Sequence, residues 1–338
     1  MKDKILAALS QADDFLSGQE LSEMLGVSRT AVWKAIGKLK EEGYEIEAVT
    51  NKGYRLVAVP DADVLNAYEI ERRLTTKWVG HPLYYEKKTG STNDDVMQLS
   101  NEGAEEGTLV VSSQQTKGKG RRGRSWSSPA GGNVYMSLLL RPKIAPDLVP
   151  MSTLIMALSV YDALKSYAKG REDVVFGIKW PNDLVVSVKG QPYRKFVGIL
   201  TEMRMEDTQI KDVTIGIGLN LNKGPETEGL EDKATTLSAA LGQEINRAEI
   251  TAMCWNCFEP NYEEFMQAKS IKPLKDRYNA ALVNRGRKVL VFDPKGEYTG
   301  VAQGIEDTGE LTVIRDDNGQ QERIGTGEIS VRGVMGYV

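Results

Sequence analysis

The feature that most restricts the fold of this chain is a change of hydrophobic period within its first sixty residues. Apolar residues recur at helical spacing through residues 21–39, with one interruption at Gly26, Val27 and Ser28. A glycine permits a sharp turn, and serine is a residue type that commonly caps the start of a helix. The pattern therefore predicts two short helices joined by a tight turn.

A short hairpin follows the second helix. Residues 45–49 and 54–57 flank a turn that contains Asn51 and Gly53, and Lys52 and Arg55 give its tip a positive charge. Two helices followed by a basic hairpin predict a winged helix-turn-helix, which we assign to residues 1–60.

Positive charge in this segment is concentrated where a groove-facing helix needs it. No acidic residue occurs between Ser28 and Lys40, although the whole chain has a net charge of −4. The local pattern predicts DNA binding, because phosphates attract cations and a helix can enter a major groove. A protein-interaction module with a solvated basic face is the alternative. The predicted DNA contacts are Ser28, Arg29, Thr30, Trp33, Lys34, Lys38, Lys52 and Arg55.

Composition indicates a globular protein of two or three domains. The chain has 338 residues, of which 41% are hydrophobic and 27% charged. We expect a cytoplasmic protein without membrane contact, because no run approaches about 20 apolar residues and the first residues lack a signal-peptide pattern. Cys254 and Cys257 lie in a predicted helix at 250–265. They are expected to be core or partly exposed thiols, since a zinc site requires about four ligands.

The most charged segment is residues 117–124, where five of eight residues are cations and the other three are glycines. Glycines allow close approach of the backbone to a ligand, and cations suit a phosphate or carboxylate. Gly118, Gly120 and Gly123 have the spacing of a dinucleotide-binding fingerprint. Pro129 and the following glycines exclude the helix that such a fingerprint requires, so we reject a dehydrogenase. A functionless solvated charge run is the other alternative.

The rest of the chain predicts an α+β domain with a mixed or antiparallel sheet, followed by a small barrel. Strands are expected at 108–113, 176–183, 184–188, 195–202 and 213–220, with an apolar helix at 151–167. Short alternating segments at 288–292, 300–305, 311–315 and 328–332 predict an SH3-like β-barrel. We assign residues 61–282 to the central domain and 283–338 to the barrel.

Several short motifs in order give the chain its resemblance to a known family. They are Ser91-Thr92-Asn93, Gln115, the loop 117–124, residues 179–183, Lys195 before Gly198-Ile199-Leu200, and residues 216–220. Together they resemble the bacterial biotin–protein ligases, and the winged helix resembles their bifunctional, repressor branch. The resemblance implies a central domain like that of class II aminoacyl-tRNA synthetases, ATP with Mg²⁺, and biotin transfer to a carrier protein. It also implies operator DNA as a partner and a homodimer when the biotinyl adenylate is bound.

The resemblance also implies roles for individual residues, and it assigns no protein metal ligands. The catalytic residues would be Lys195, Arg121 and Asp183. The biotin site would contain Ser91, Thr92, Asn93, Gln115, Gly118, Lys119, Arg121, Lys195 and Gly216. The ATP site would contain Arg121, Arg124, Trp126, Lys179, Asn182, Asn220 and Arg332.

Some of these residues also have purely structural interpretations. Ser91 to Asn93 could cap a helix, Trp126 could be a core residue, and Asp183 could be a turn acid after Pro181. Lys119 departs from the family pattern, because arginine is usual there and lysine lacks its planar bidentate fork.

Two other functions fit the same sequence. One is a transcription factor that senses biotin or its adenylate without transferring it. The other is a ligase for lipoate or another carboxylate. Lys195 and residues 179–183 favour catalysis, and the loop and the winged helix favour biotin.

Overall fold

The structure is a computed structural model that describes residues 1–60, 62–224, 233–293, 296–325 and 330–333. The chain divides into two compact units, residues 1–73 with 246–249 and residues 74–245 with 250–338. The domain boundaries at residues 60 and 282 stay predictions.

The first unit contains the winged helix-turn-helix, and the structure confirms it. Its elements are α1 (Lys2–Gln11), α2 (Gly18–Leu25), α3 (Arg29–Glu41), β1 (Glu45–Val49), β2 (Gly53–Ala58) and α4 (Ala67–Glu71). Gly26 turns the chain after α2 with a φ of 63°, and the Ala31 backbone N–H donates to Ser28 Oγ at 3.2 Å to cap α3. Gly26 and Ser28 therefore have the turn and helix-capping roles that their residue types predict.

One face of α3 packs into the core of this unit. Val32, Ala35, Ile36 and Leu39 are buried at helical spacing, and they contact Leu21 of α2 within one apolar cluster. The apolar period therefore fixes which side of α3 faces outward.

The second unit is built on a seven-stranded sheet. Its order is β3-β4-β5-β9-β8-β7-β6, with β3 and β4 parallel and the other neighbours antiparallel. This confirms the predicted mixed sheet. The strands are β3 (Leu83–Glu86), β4 (Leu109–Ser112), β5 (Val134–Leu140), β6 (Val174–Lys179), β7 (Asp183–Val188), β8 (Arg194–Glu206) and β9 (Gln209–Leu219).

The helices around this sheet include a long one that is mostly buried. The stretch Pro146–Tyr167 is long and apolar enough to cross a membrane by length and composition, but 72% of its apolar window is buried inside the protein. Cys254 is buried and Cys257 half-buried, as predicted. The helices are α5 (Thr92–Asn101), α6 (Met151–Tyr167), α7 (Leu237–Leu241), α8 (Arg247–Ala268) and α9 (Lys275–Ala281).

The chain ends in a five-stranded antiparallel sheet, with the order β13-β12-β11-β10-β14. The sequence did not indicate β13, whose residues are mostly polar. In the predicted strand 328–332, residues 328 and 329 lie outside the described residues. Trp180 Nε1 donates to the Gly309 carbonyl at 3.2 Å and joins this sheet to the β6–β7 hairpin. The strands are β10 (Lys288–Asp293), β11 (Gly296–Ile305), β12 (Leu311–Arg315), β13 (Gln321–Ile324) and β14 (Ser330–Gly333).

Candidate active site

A cleft lies where the start of α5 and the cationic loop meet strands β8 and β9. The empty space in it, part of which is open to solvent, is about 470 Å³. Most of the residues predicted for the biotin site line it. So do three residues of the predicted ATP site, one of which, Arg121, belongs to both sites. Those predicted residues are Ser91, Thr92, Asn93, Gln115, Lys119, Arg121, Trp126, Asn182, Lys195 and Gly216.

One end of the cleft is a set of uncharged polar groups at the start of α5. The Thr92 backbone N–H donates to Gln115 Oε1 at 2.9 Å, and Gln115 Nε2 donates to Ser128 Oγ at 3.0 Å. Ser91 occupies the position before the helix, but its side chain makes no capping hydrogen bond within the described residues. The helix start therefore presents its polar side chains to the cleft, where they can bind an uncharged polar ligand group.

The other end of the cleft is cationic. Lys195 Nζ lies 2.6 Å from Asp183 Oδ1 and 4.9 Å from the centre of the Trp126 ring. Arg121 Nη1 donates to Asn182 Oδ1 at 3.2 Å. Asp183 starts β7 opposite Gly198 of β8, so pairing of the two strands brings it to the lysine. This end can hold a carboxylate or phosphate.

Burial changes the proton affinity of two cations here. It lowers the pKa of the Arg121 guanidinium, and Asp183 partly offsets the effect. Burial also lowers the pKa of Lys179 to about 8, where Asp183 acts to raise it and Lys195 and Arg332 act to lower it. Lys179 is only 6% exposed. Its interactions with Asp183, Lys195 and Arg332 indicate that it lies close to the charges of the cationic end.

Trp126 lies against two strand glycines. A Cβ atom on Gly198 would stand 2.7 Å from an indole carbon, and one on Gly218 would stand 2.3 Å from the indole Nε1. The side chain is half-buried and lines the cleft, and its Nε1 has no hydrogen-bond partner among the described residues. The two glycines thus make room for the ring over β8 and β9.

The cationic loop folds back on itself and is tied to α5. The Gly120 N–H donates to the Arg124 carbonyl at 2.7 Å, and the Trp126 N–H donates to the Gly118 carbonyl at 2.9 Å. Lys119, the residue that departs from the family pattern, forms an ion pair with Asp94 in the first turn of α5. The sequence did not single out Asp94, because acids in a first helical turn are common.

The remaining predicted residues do not line the cleft. Gly118 lies beside Gln115 and Ser128, and a Cβ there would be 2.6 Å from Ser128 Oγ. Arg124 is exposed, Asn220 is buried at the end of β9, and the Arg332 guanidinium stacks 4.9 Å from the centre of the Phe292 ring. Asp183 forms an ion pair with Lys195, which lines the cleft. Lys179 lies opposite Asp183 in the strand pairing of β6 with β7.

In the winged-helix unit, the predicted DNA contacts form an outward surface. Arg29, Thr30, Trp33, Lys34 and Lys38 are all exposed along α3, and Trp33 is 65% exposed. An exposed tryptophan amid cations is unusual for a merely solvated helix face.

The hairpin contributes two further exposed cations. Lys52 and Arg55 lie 5.8 Å and 4.7 Å from the centre of the Phe15 ring, and Arg55 also pairs with Glu47 at 2.7 Å. The oxygen of Ser28 is already used to cap α3, which limits that side chain as a DNA contact.

The sequence analysis missed several residues that hold the side chains of the cleft in place. Ser137 and Glu202 lie behind Thr92 and Asn93, and Ser128 holds Gln115. A serine inside the apolar strand 134–140 was the available signal for Ser137. No group of three or more metal-ligating side chains of Asp, Glu, His or Cys occurs in the described part of the chain.

Three family models match successive parts of the chain. Residues 2–55 match an HTH domain, residues 85–220 match the biotin/lipoate A/B protein ligase family, and residues 286–332 match the biotin protein ligase C-terminal domain. The chain is 40% identical over 314 residues to the bifunctional ligase/repressor BirA of Bacillus subtilis, covering 92% of this chain and 93% of that one. This chain belongs to the BirA family of bifunctional ligase/repressors.

Other members and solved structures agree with this membership. BirA of Escherichia coli is 29% identical, covering 97% of this chain and 96% of the relative. The structure of the biotin protein ligase of Aquifex aeolicus in complex with biotin and ATP matches with a TM-score of 0.62 and 29% identity. It covers 74% of this chain and 98% of the other. The matches confirm the predicted order of a helix-turn-helix, a mixed-sheet ligase domain and a C-terminal domain. The C-terminal domain was predicted as an SH3-like β-barrel and is observed as a five-stranded antiparallel sheet.

Proposed function

We propose that this chain is an ATP-dependent biotin–protein ligase that also represses transcription in response to biotin. One observation carries the enzymatic half: the cleft has uncharged hydrogen-bonding groups at Thr92 and Gln115, and cations at Lys195 and Arg121. Biotin has a matching pair of ends, a polar uncharged ureido group and a carboxylate. Family membership supplies the reaction, and the two-ended cleft supports the binding direction.

In the first step, a biotin carboxylate oxygen forms a bond to the α-phosphorus of ATP, and pyrophosphate leaves. Two anions approach each other, so the site must place positive charge where negative charge develops. Lys195 and Arg121 do this from the cationic end, and Asn182 holds the arginine through its 3.2 Å hydrogen bond. Trp126 borders the same end and provides a surface for the adenine.

In the second step, the amine of a carrier lysine attacks the biotinyl carbonyl, an amide bond forms, and AMP leaves. The amine must first lose a proton, since the pKa of a free lysine is about 10.4. Asp183 is the carboxylate paired with Lys195, and it accepts or directs that proton once Lys195 has turned to the adenylate.

Mg²⁺ fits this site as a companion of the nucleotide. The ion commonly binds substrate phosphates plus one or two carboxylates, and Asp183 is the carboxylate in contact with Lys195 at the cationic end. When bound, Mg²⁺ would neutralise phosphate charge. The residues suit an ion that arrives with ATP better than one held by the protein alone.

A carrier-labelling assay tests the ligase. The protein is incubated with Mg-ATP, biotin and a biotin carrier domain, with lipoate in a parallel tube, and the carrier is probed for the attached group. Biotin-dependent labelling is expected. Tight biotinyl-adenylate binding without labelling would favour the sensor function instead, and labelling by lipoate alone would favour a lipoate ligase.

The regulatory half rests on the outward surface of the winged helix. We propose that the adenylate favours a homodimer, formed through an edge strand of the central sheet, which places two α3 helices on a two-fold operator. We expect this protein to act in the cytoplasm, where carrier and operator are both accessible. Operator affinity that does not respond to biotin plus ATP would contradict the coupling.

Two lysine substitutions test the DNA surface. Lys34→Ala and Lys52→Ala should each reduce the slope of log affinity against log salt by about one, because each removes one phosphate contact. Trp33→Ala should lower affinity without changing that slope. Lys4→Ala, at an exposed lysine of α1 outside the surface, is the control, and a salt titration of DNA binding gives all four slopes. Equal slopes for Lys34→Ala and Lys4→Ala would contradict the proposal that α3 contacts the DNA.

The lowered pKa of Lys179 predicts a pH dependence. Below about pH 8 the amine is protonated and can attract nucleotide phosphates; above it the charge is lost. The kcat/KM for ATP should therefore fall as pH rises through 8, since this ratio reports groups of the free enzyme.

Lys179→Met is the comparison for this profile. It should be less active at pH 7 and should lack the fall, because its side chain is neutral throughout. A fall of the same size in Lys179→Met would assign the titration to another group.

A further inference from the structure

Trp33 is a large apolar side chain that the winged-helix unit leaves in solvent. It is 65% exposed, and its ring makes no hydrogen bond or ring contact with another described residue. The core of the unit takes the opposite side of α3, where Val32, Ile36 and Leu39 are buried. Trp33 therefore adds little to the core, and its ring is available to bind a partner.

The helix leaves room beside this ring. Gly37 lies one turn after Trp33 on the same exposed face, and a Cβ there would meet nothing within 4 Å. A glycine inside a helix lowers its stability relative to alanine, and here neither packing nor a positive φ requires one. Gly37 therefore lets another molecule approach the ring closely, as a base-pair edge does when a helix enters the major groove.

The other exposed side chains of α3 favour particular bases. Arg29, Lys34 and Lys38 only donate hydrogen bonds, and the Thr30 hydroxyl can donate or accept. From Arg29 to Lys40, the helix has no Asp, Glu, Asn or Gln, the side chains that accept from the amino groups of adenine and cytosine. Guanine and thymine instead present acceptors in the major groove, so this face fits their edges.

Thymine has one further group that suits Trp33. Its C5-methyl is the apolar group on the major-groove edges of the four bases, and the indole offers an apolar ring with a single N–H donor. We propose that Trp33 is a specificity-determining residue that contacts the methyl group of a thymine in each operator half-site. The inference rests on the proposed regulatory function and refines its DNA partner. Contact between ring and methyl removes apolar surface of both from water.

Removing single methyl groups from the DNA tests this contact. A duplex selected from random-sequence DNA by the full chain, with biotin and Mg-ATP, is remade with deoxyuridine in place of one thymine at a time. Deoxyuridine pairs as thymine does and lacks only the methyl group. At one thymine of each half-site, affinity should fall about fourfold, as for one methyl group left in water. Replacing both thymines should cost about fifteenfold, since separate sites add.

Two variants of Trp33 assign the effect to its ring. Trp33→Ala should bind the thymine and deoxyuridine duplexes equally, because the methyl group has lost its contact. Trp33→Phe keeps an apolar ring and should retain most of the fourfold difference. Neither change should shift the midpoint of urea unfolding appreciably, since the side chain is exposed. A merely structural role would instead weaken binding of both duplexes by the same factor and lower stability.

The matched control is Met24→Ala, which removes another large apolar side chain of the same unit, 63% exposed on α2. It should keep the fourfold difference between the two duplexes. Lys38→Ala should weaken binding of both duplexes by the same factor, because a phosphate contact does not depend on the base methyl group.

The outcomes separate this inference from the proposed function. Sequence-specific binding without any deoxyuridine effect, or with an effect that persists in Trp33→Ala, would overturn the thymine contact and leave the repressor function in place. Binding that ignores biotin and ATP would contradict the regulatory coupling, yet a methyl effect erased by Trp33→Ala would still support the contact. Binding without sequence preference would overturn both and point to a protein partner for the exposed ring.

Discussion

Replacing Lys195 with alanine is expected to slow adenylate formation by about a hundred- to a thousandfold, the usual effect of removing one charge-stabilising donor from a transition state. Lys195 Nζ is 2.6 Å from Asp183 and lines the cleft at its cationic end. Without it, the approaching carboxylate and phosphate lose one of the cations that offset their negative charge. The loss should therefore appear in kcat for biotin-dependent ATP–pyrophosphate exchange.

Two further variants complete this experiment. Lys211→Ala removes a partly exposed lysine whose 3.9 Å pair with Glu206 lies at the far end of the β8–β9 ribbon, and it should be silent. Asp183→Asn should preserve adenylate formation better than Lys195→Ala but slow transfer to the carrier, because the carboxylate is assigned to the second step. Near-normal adenylate formation by Lys195→Ala would refute its catalytic assignment.

Replacing Glu259 with alanine is expected to destabilise the second unit by about 3 kcal/mol or more. This carboxylate, 6% exposed on α8, accepts the backbone N–H groups of Lys77 at 2.7 Å, Trp78 at 3.0 Å and Val79 at 3.0 Å. An alanine leaves three donors without their partner, and the Val79 donor is buried. Each unsatisfied buried donor costs about 1–3 kcal/mol.

Urea unfolding measures this effect. Glu264→Ala, an exposed glutamate on the same helix, is the control and should change stability by less than about 0.5 kcal/mol. Glu259→Gln keeps one acceptor oxygen and should fall between the two. A loss below about 1 kcal/mol for Glu259→Ala would mean that water replaces the carboxylate at residues 77–79.

The local elements of this fold were predictable because their signals are short-range. Gly26 and Ser28 mark the helix-turn-helix, and the predicted bounds of the apolar helix α6 and of the strand β12 agree with the structure. The strand β13 was missed because Gln321, Glu322 and Arg323 carry no alternating apolar pattern. It is stabilised instead by pairing with β12, a contact that the sequence of β13 does not encode by itself.

The candidate site was predictable where a motif is compact. Ser91 to Asn93, Gln115 and Lys195 were found through their resemblance to a family, and the structure places them on one cleft. Charge and glycine content alone drew attention to the loop. They did not reveal that Lys119 pairs with Asp94, because that contact depends on where the loop packs.

The order of the modules, the winged helix and the residue types available to bind an anion and a small polar ligand all follow from the amino-acid sequence. Which of these residues meet depends on the tertiary fold. Asn93 and Glu202 are 109 residues apart and Ser137 is 44 residues from Asn93, yet hydrogen bonds join all three. The physical reason is that strand pairing among β5, β9 and β8 sets those distances, whereas hydrophobic period and local propensity act over a few residues.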